Sequence, residues 1–240
     1  MKTELRALLV GAAGRMGEAI TASAGEVKII PSELGNDIAA AISDCDVAID
    51  FSHADATEAL CAAATKCGKP LVIGTTGHSQ KQLEIIHAAA SKIPIVFASN
   101  FSVGVNALFA LTQRAAALLG DDFDIEVTEA HHRMKKDAPS GTAKTLLQIL
   151  KESRTGADLI HGREGNVGAR AQKEIGVHSI RGGDIVGDHT VIFAGSGERL
   201  ELTHKASSRE TFARGALRAA HWVIDRDPGL YDMRDVLGLK

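Results

Sequence analysis

The chain has 240 residues, enough to bury a sizeable core in one large domain or two modest ones. Hydrophobic residues make up 45% and charged residues 24%, a balance that excludes a disordered or collagen-like protein. The net charge is −3 and only 4% of the residues are aromatic, so neither a basic nucleic-acid surface nor a base-stacking platform is expected. Any site for an anion must therefore be local.

The three cysteines, Cys45, Cys61 and Cys67, lack the paired spacing of a disulfide framework or a zinc ribbon. We therefore expect a cytoplasmic protein without a metal site. No apolar run approaches the roughly 20 residues of a membrane span, so no membrane association is expected. The short apolar run from Ala7 to Ala13 is better explained by a glycine turn than by a signal segment.

The first half alternates short β-rich runs with helical runs. The predicted strands are Leu5–Val10, Val27–Ile30, Val47–Phe51, Leu71–Ile73 and Ile95–Ala98, and the predicted helices are Met16–Ala24, Asp37–Ser43, Ala56–Lys66 and Gln80–Ser91. This alternation is typical of βαβ units, which build a doubly wound parallel sheet with helices on both faces. Ligands of such sheets bind at the carboxyl ends of the strands.

The second half has a different pattern. Helices are predicted at Val105–Leu119 and Thr142–Glu152, and strands at Asp124–Glu129, Ile175–Ile180, His189–Phe193 and Leu200–His204. The last two strands are joined by a hairpin turn at Ala194–Glu198, and no element is predicted in the Gly- and Arg-rich stretch from Arg154 to Lys173. A helix at Arg209–Asp225, ended by Pro228 and Gly229, is expected to return to the first domain.

The predicted fold class is α/β, a Rossmann-type doubly wound parallel sheet with a second α+β domain. The predicted domains are 1–101, 102–208 and a C-terminal helix and tail, 209–240, that returns to the first.

The first predicted strand runs directly into a glycine-rich turn, Gly11 to Gly17, and then into a helix. This context makes a dinucleotide fingerprint credible. Gly14 allows the backbone to approach a pyrophosphate, Gly17 allows close packing of helix and strand, and the helix N-terminus supplies amide donors. Gly11 precedes Gly14 by three residues, a variant of the commoner spacing of two. A tight turn without a ligand is the alternative.

Glu33 lies 19 residues after Gly14, where an acidic residue is expected to bind the adenosine ribose. Asp37 is a second candidate, and a plain surface glutamate is the alternative. No Lys or Arg occurs between Ile29 and Thr65, so only Arg15 is available to reach a 2′-phosphate. We expect NADH or NADPH as the cofactor, and this pattern favours NADH.

Two further loops at strand ends carry small and hydroxyl residues. The candidates for cofactor contacts there are Gly74, Thr75 and Thr76 after the fourth strand, and Ala98, Ser99, Asn100 and Phe101 after the fifth. Each loop alone is more often a turn than a site. Three such loops on one sheet edge favour a site.

The strongest cluster of reactive side chains lies between Glu129 and Ala143. From His131 to Lys136, five of six residues are cationic or can become so, which concentrates positive potential for an anion. Histidine transfers protons near neutral pH, and lysine does so when desolvated beside other cations. Ser140 is predicted to cap a helix whose first amides, Gly141, Thr142 and Ala143, are unpaired and able to bind a carboxylate. A solvated basic loop, in contact with RNA, is the alternative.

Two later segments are predicted to have structural roles. Arg181 to Thr190 is interpreted as a tight turn before a strand, and Leu202 to Arg209 as a hinge between domains. His204 is expected to be packed rather than catalytic.

These motifs resemble the dihydrodipicolinate reductase family, the 4-hydroxy-tetrahydrodipicolinate reductases of bacterial lysine biosynthesis. The resemblance covers nearly the whole chain, including Gly11–Gly17, Gly74–Gly77, Asn100–Asn106, Glu129–Ala143, Arg181–Thr190, His204–Arg209 and Tyr231–Leu237. The His-His-x-x-Lys-x-Asp-Ala-Pro-Ser-Gly-Thr run is highly specific to that family. It implies a two-domain homotetramer whose nicotinamide cofactor donates hydride to the ring C=N-type bond of a cyclic dicarboxylate.

The resemblance also implies roles for single residues. His131 matches the general acid and Lys135 a second proton donor. His132 matches a substrate-binding position, and Gly141 with Thr142 matches the carboxylate clamp. Ser140, next to this clamp, is also expected to bind substrate. The positions that match cofactor contacts are Gly11, Ala12, Ala13, Gly14, Arg15, Met16, residues 74–76 and residues 98–101. One departure is that the usual acidic–basic pair after the second strand is not obvious, which leaves the ribose contact open.

Two other functions remain as alternatives. One is a two-domain dehydrogenase for an amino acid or a semialdehyde. The thioester-forming type needs a nucleophilic cysteine, which the positions of the three cysteines in or beside predicted helices disfavour. The other is a redox-sensing regulator that binds a dinucleotide and uses its basic loop on nucleic acid. The acidic net charge and the lack of a helix-turn-helix disfavour it.

Overall fold

A computed structural model of the chain describes residues 4–33 and 38–239. Within these residues the chain forms eleven strands and eight α-helices. The strands are β1 (Arg6–Val10), β2 (Lys28–Ser32), β3 (Val47–Asp50), β4 (Leu71–Ile73), β5 (Pro94–Phe97), β6 (Asp124–His131), β7 (Asp158–His161), β8 (Glu174–Arg181), β9 (Gly187–Ala194), β10 (Arg199–Ala206) and β11 (Gly229–Tyr231). The helices are α1 (Arg15–Ala22), α2 (Ile38–Ser43), α3 (Thr57–Cys67), α4 (Gln80–Ala90), α5 (Val103–Leu119), α6 (Gly141–Ser153), α7 (Glu210–Val223) and α8 (Met233–Leu237).

The chain divides into two compact units. Unit 1 comprises Met1–Val103 and Arg209–Lys240, and unit 2 comprises Gly104–Ser208. Each unit has its own sheet and its own hydrophobic core.

Unit 1 is built around a parallel sheet, which within the described residues has the order β11-β5-β4-β3-β1-β2. Successive residues of β1 point to opposite faces: Leu9 packs in the core formed with α1, α7 and α8, and Leu8 in the core formed with α2, α3 and α4. Both faces are therefore covered, which explains the continuous apolar strands. The connections from β1 and β3 leave in opposite directions along the sheet, so the carboxyl ends of these two strands flank its switch point.

The C-terminal stretch adds a strand and a helix that we did not predict from the sequence. Gly229, expected only to terminate a helix, begins β11, and Leu230 lies opposite Ile95 of β5. Asp232 and Asp235 then form a capping box at the start of α8. These elements have three and five residues, too few to show a clear periodicity.

Unit 2 contains a mixed sheet, which in the described part of the chain has the order β10-β9-β6-β8-β7. Its central strand, β6, pairs antiparallel with β9 and parallel with β8. One face packs against α5 and α6, and Ile125 and Val127 of β6 are buried there. The alternation places Glu129 on this same apolar face, where it is buried.

Two sequence predictions for unit 2 had different outcomes. The hairpin at residues 194–198 is confirmed, because the Gly195 N–H donates to the Glu198 carbonyl at 2.9 Å between β9 and β10. The Gly- and Arg-rich stretch is not free of regular structure, since it contains the edge strand β7, which pairs with β8. This strand was missed because only two of its four residues, Leu159 and Ile160, are apolar.

One segment of the described residues, Val103–Asp122, is long and apolar enough by length and composition to span a membrane, contrary to the sequence expectation. Val105, Leu108 and Phe109 of this segment are buried in the core of unit 2. Other apolar residues of the segment, among them Leu111 and Leu118, are exposed.

Candidate functional site

In unit 1 the glycine turn after β1 needs glycine for steric reasons. Gly11 has a positive φ of +84°, and a Cβ there would lie 2.7 Å from the Phe51 carbonyl oxygen. A Cβ on Gly17 would collide with the Gly11 and Ala12 carbonyl oxygens. Gly14 is the N-cap of α1 and provides no side-chain hydrogen bond. The turn therefore packs tightly against the sheet and leads into a helix start that its own side chains do not cap.

Glu33 lies beside this turn, where the sequence predicted the ribose contact. Its carboxylate accepts a hydrogen bond from the Ala13 N–H at 2.7 Å, so the turn already presents an amide to an anion. Arg15 is exposed, whereas Ala12 and Met16 are half-buried against the core. The second ribose candidate, Asp37, lies outside the described residues.

The loop after β3 connects the predicted cofactor loops, and the sequence reasoning missed it. The Phe51 ring occupies the space that a side chain on Gly74 would need, and it packs edge-to-face against Phe101 with ring centroids 5.4 Å apart. The Ser52 N–H donates to the Thr75 hydroxyl oxygen at 3.0 Å. The loops after β1, β3 and β4 and the segment around Phe101 are thus linked within unit 1.

The remaining predicted cofactor residues lie on the same strand ends. The Ala98 N–H donates to the Ile73 carbonyl at 3.2 Å, and the Asn100 side-chain oxygen accepts from the Ser102 N–H at 2.8 Å. Thr76 and Ser99 are exposed. These contacts order both loops and leave two hydroxyl side chains exposed at that edge.

Asp50, at the end of β3, is a buried carboxylate that we did not predict as functional. Burial raises its pKa, although hydrogen bonds from Ser52 and Thr75 oppose the rise. An acidic residue at the end of the apolar strand Val47–Asp50 was the signal that could have identified it.

In unit 2 the predicted cluster is organised around Glu129, whose side chain has 0% solvent exposure. Arg181 donates to both of its oxygens, from Nη1 at 2.9 Å and from Nη2 at 2.8 Å. His131 Nδ1 lies 2.5 Å from Oε2, and the Ser140 N–H donates to Oε1 at 3.3 Å. Burial alone would raise the pKa of this carboxyl, but hydrogen bonds from Arg181, Ser179 and His131 lower it to about 2. Glu129 is therefore an anion at neutral pH.

His131 is oriented by that anion. Burial lowers its pKa, and the charges of Lys135 and Arg181 act in the same direction, whereas the hydrogen bond that the ring donates to Glu129 and the charge of that carboxylate raise it. The ring is consequently mostly neutral at pH 7, with the Nδ1 hydrogen directed at the carboxylate. Its other nitrogen, Nε2, lies beside Gly187, where a Cβ would be only 3.1 Å away.

His132 and Lys135 lie in the loop between β6 and α6. The Lys135 ammonium pairs with Asp137 Oδ1 at 2.8 Å, and this contact lowers the pKa of Asp137. The Lys135 N–H donates to the His132 carbonyl at 3.1 Å. Both side chains are half-buried, whereas Arg133 and Lys136 are exposed. The basic residues that match the family motif are thus the sheltered ones.

The start of α6 is capped by Ser140, as predicted, since its hydroxyl accepts from the Ala143 N–H at 3.2 Å. The expectation that the Ala143 amide is unpaired was therefore wrong. Gly141 is exposed, and a Cβ there would meet nothing within 4 Å, whereas Thr142 is buried. The helix start is open on the Gly141 side.

His189 completes this arrangement from β9. Its Nε2 lies 3.1 Å from the Ser140 hydroxyl, and its ring packs edge-to-face on His131 with centroids 5.2 Å apart. Burial, together with the charge of His131, lowers its pKa to about 4. His189 is therefore neutral at physiological pH.

The structural interpretation of residues 181–190 was incomplete. The turn explains residues 182–186, but Arg181 and His189 at its two ends belong to the Glu129 cluster. The signal that could have identified the cluster is Glu129, a charged residue in register with the apolar face of β6. His204 packs against α5, because its ring fills the space beside Gly104, and burial lowers its pKa.

Comparison with known proteins gives matches over both units. A family model described as dihydrodipicolinate reductase, N-terminus, matches residues 23–101, and one described as dihydrodipicolinate reductase, C-terminus, matches residues 104–237. The 4-hydroxy-tetrahydrodipicolinate reductase of Akkermansia muciniphila is 59% identical over 97% of each chain. That of Alkalilimnicola ehrlichii is 46% identical over 98% of this chain and 99% of its own.

A solved structure has the same fold. It is a dipicolinate-bound dihydrodipicolinate reductase from Paenisporosarcina sp. TG-14, which matches with a TM-score of 0.78 at 23% identity over 96% of this chain and 98% of its own. The sheets described above and this match confirm the predicted fold class. The N-terminal family match indicates that unit 1 binds a pyridine nucleotide. The chain belongs to the dihydrodipicolinate reductase family.

Proposed function

We propose that the chain reduces 4-hydroxy-tetrahydrodipicolinate to tetrahydrodipicolinate with a nicotinamide cofactor, in the diaminopimelate route of lysine biosynthesis. Relatives with this name are 46–59% identical over most of the chain. The observation that carries the chemistry is the contact of His131 with a buried, arginine-held carboxylate at the end of β6.

The residues of unit 1 fit a dinucleotide. The turn at Gly11 and Gly17 has no space for side chains, and the start of α1 has no side-chain cap. Both features allow a pyrophosphate to approach the backbone amides closely. A reduced nicotinamide supplies a hydride when bound. We assign the cofactor contacts to residues 11–16, Glu33, residues 74–76 and residues 98–101.

We infer that NADH is preferred over NADPH. Glu33 lies beside the turn, and a carboxylate there accepts hydrogen bonds from ribose hydroxyls and repels a 2′-phosphate. Titration of the protein with each cofactor, monitored by nicotinamide fluorescence, is expected to give a lower Kd for NADH. Glu33→Ser is expected to narrow the difference, and equal affinities for the two cofactors in the unaltered protein would contradict the assignment.

We assign substrate binding to the loop and helix start of unit 2. The substrate carries two carboxylates. The cations of this loop and the amides at the start of α6 can bind such groups by charge and by hydrogen bonds. His132, Gly141 and Thr142 hold the dicarboxylate in this proposal, while Ser140 contributes by capping the helix. Removal of the 4-hydroxyl as water and addition of one hydride and one proton convert substrate to product. His131 donates that proton, and Lys135, the second donor, supplies the proton with which the 4-hydroxyl leaves as water, balanced by the ring hydrogen that is lost in the same step.

A dianionic substrate also changes the protonation of His131. The imidazole has a lowered pKa in the ligand-free protein because it is buried among cations. Negative charge brought close to the ring favours its protonated form. Substrate binding therefore promotes the acid form that the reaction consumes.

We further propose that the 102–208 domain binds substrate and mediates a cytoplasmic homotetramer, while the 1–101 domain with the 209–240 tail binds the cofactor. The family resemblance supports this division. Light scattering at several protein concentrations is expected to give four times the chain mass. No shift of duplex DNA or RNA is expected at physiological salt.

The function is tested by adding the freshly formed condensation product of pyruvate and aspartate semialdehyde to the protein with NADH. Loss of nicotinamide absorbance is expected only when this product is present. No loss with either NADH or NADPH would overturn the proposed function.

A further inference from the structure

We propose that Glu129 is a positioning residue that holds two parts of the site together, the proton donor His131 and the start of α6. The inference rests on the proposed function for the roles of those two parts. It is carried by the contacts of the single Glu129 carboxylate, whose side chain is fully buried.

The first contact fixes the hydrogen on the imidazole of His131. Nδ1 lies 2.5 Å from Glu129 Oε2, and an ionised carboxylate only accepts hydrogen bonds. Nδ1 therefore keeps its hydrogen in both the neutral and the charged ring. It follows that Nε2 is the nitrogen that takes up and releases the proton.

The second contact fixes the backbone before α6. Glu129 Oε1 accepts from the Ser140 N–H at 3.3 Å, and Ser140 is the N-cap of that helix. Arg181, which grips the same carboxylate, also donates from Nη2 to the Asp137 carbonyl at 2.7 Å. Because Asp137 pairs with Lys135, the Glu129–Arg181 pair also anchors the loop that carries Lys135, the second proposed proton donor.

The charges around His131 make Glu129 the stabilising partner of the protonated ring. The groups that influence the ring are Glu129 on β6, Arg181 on β8, His189 on β9 and Lys135 on the loop. Of these, Glu129 alone is anionic. Without its charge the imidazolium would face cations and a neutral histidine, so its proton would be lost at lower pH.

The same strand supplies a matched control. Glu126 is also held by arginines and lies 2.8 Å from a histidine nitrogen, His178 Nε2. Its partners lie in the stretch between β7 and β8 and on β8, not at the start of α6. Replacing it by glutamine removes the same charge from the same strand without touching the proposed site.

The first experiment measures the ring nitrogens of His131 by ¹⁵N NMR in the substrate-free protein. The resonances are assigned by their loss in His131→Gln. The unaltered protein is expected to have the hydrogen on Nδ1. In Glu129→Gln the His131 pKa is expected to fall by about 1 unit or more. The pH above which kcat/KM declines should fall by the same amount, and Glu126→Gln should change neither.

The second experiment measures dipicolinate binding by calorimetry, which reports the start of α6 without turnover. Glu129→Gln is expected to raise the Kd for dipicolinate roughly 3- to 10-fold, which corresponds to the free energy of one lost hydrogen bond. Glu126→Gln is expected to leave the Kd unchanged. An unchanged Kd in Glu129→Gln would remove the second half of the proposal.

A hydrogen on Nε2 in the unaltered protein, or an unshifted His131 pKa in Glu129→Gln, would overturn the first half. If Glu129→Gln does not fold, the tautomer of the unaltered protein still decides it. Failure of the proposed function is distinguishable, because the tautomer and pKa are measured without substrate or cofactor.

Discussion

Two carboxylates on β6, Glu129 and Glu126, have the same electrostatic signature and different neighbours. Each is paired with arginine, each lies within hydrogen-bond distance of a histidine nitrogen, and each has a pKa of about 2. In both cases burial raises the pKa, and the hydrogen bonds donated by neighbouring side chains, arginines first among them, lower it by more. A strongly perturbed pKa therefore identifies a well-held carboxylate, and it does not by itself identify a site.

The difference lies in what each carboxylate holds. Glu126 accepts from both terminal nitrogens of Arg163 at 3.0 Å and from Arg170 Nε at 3.2 Å, which ties the stretch between β7 and β8 to the sheet. It lies over Gly176, where there is no space for a Cβ. Glu129 lies on the opposite face and holds an imidazole and a helix start. The Glu126 network therefore holds a loop in place, whereas the similar Glu129 network positions groups that we assign to the reaction.

The largest expected effect separates the two histidines of these networks. His131→Gln is expected to lower kcat about 10²- to 10⁴-fold, because a positioned general acid contributes about that much. His178→Gln, in the Glu126 network, is expected to leave kcat close to the unaltered value. Steady-state assays of both variants with NADH test this pair. Similar losses in both would show that the two networks do not differ in function.

Complete removal of each carboxylate compares the two networks in stability. Glu129→Ala is expected to lower the free energy of unfolding by about 3–5 kcal/mol, because it leaves the Arg181 charge in a largely buried position without its carboxylate partner. Glu126→Ala is expected to cost about 1–3 kcal/mol, since Glu126 is less buried than Glu129 and its arginines, Arg163 and Arg170, keep Glu174 and Asp124 as anionic partners. Urea unfolding at neutral pH measures both. A larger loss for Glu126→Ala would contradict the burial argument.

The lowered pKa values of Glu126 and Glu129 also predict that the free energy of unfolding decreases at acidic pH. Each carboxyl has a folded pKa of about 2 against an ordinary value of 4.5, so its contribution is fully present above pH 4.5. That contribution is lost as the pH falls from 4.5 towards 2, because the unfolded chain then binds more protons than the folded one. Glu126→Gln and Glu129→Gln are each expected to lose less unfolding free energy than the unaltered protein between about pH 5 and pH 3. Parallel losses in all three proteins would contradict the shifts.

The smallest expected effects concern the glycines beside the two networks. A Cβ at Gly187 lies 3.1 Å from His131 Nε2, so Gly187→Ala is expected to lower kcat about 3- to 10-fold by crowding the ring, at a modest stability cost. Gly176→Ala forces Glu126 away from its arginines, and we expect it to lower the free energy of unfolding by about 1–3 kcal/mol. The kcat of the folded protein is expected to stay unchanged. Reversed outcomes would show that the networks are assigned to the wrong roles.

The sequence predicted the parts of the fold whose signals are local. The βαβ order of unit 1 followed from alternating apolar runs, and the turn at Gly11–Gly17 followed from its glycines between a strand and a helix. The Ser140 cap followed from the residue type next to Pro139. Strands β7 and β11 did not, because short edge strands with few apolar residues have no periodicity to detect.

The partners within the site depend on contacts distant in sequence. Glu129 and Arg181 are 52 residues apart, and their contact exists because β6 and β8 pair in one particular register. His189 reaches Ser140 across 49 residues through the pairing of β6 with β9. Propensity and spacing give no strand register, so His131 could be predicted as an acid while the groups that orient it could not.

The central claim is that His131, held through Nδ1 by Glu129, faces the dicarboxylate with Nε2. A crystal structure of the protein with NADH and dipicolinate tests it most directly. The predicted result is a carboxylate at the amides of Gly141 and Thr142, His131 Nδ1 on Glu129 and Nε2 within hydrogen-bond distance of the ligand. A dicarboxylate bound elsewhere, or an imidazole rotated away from Glu129, would contradict the account.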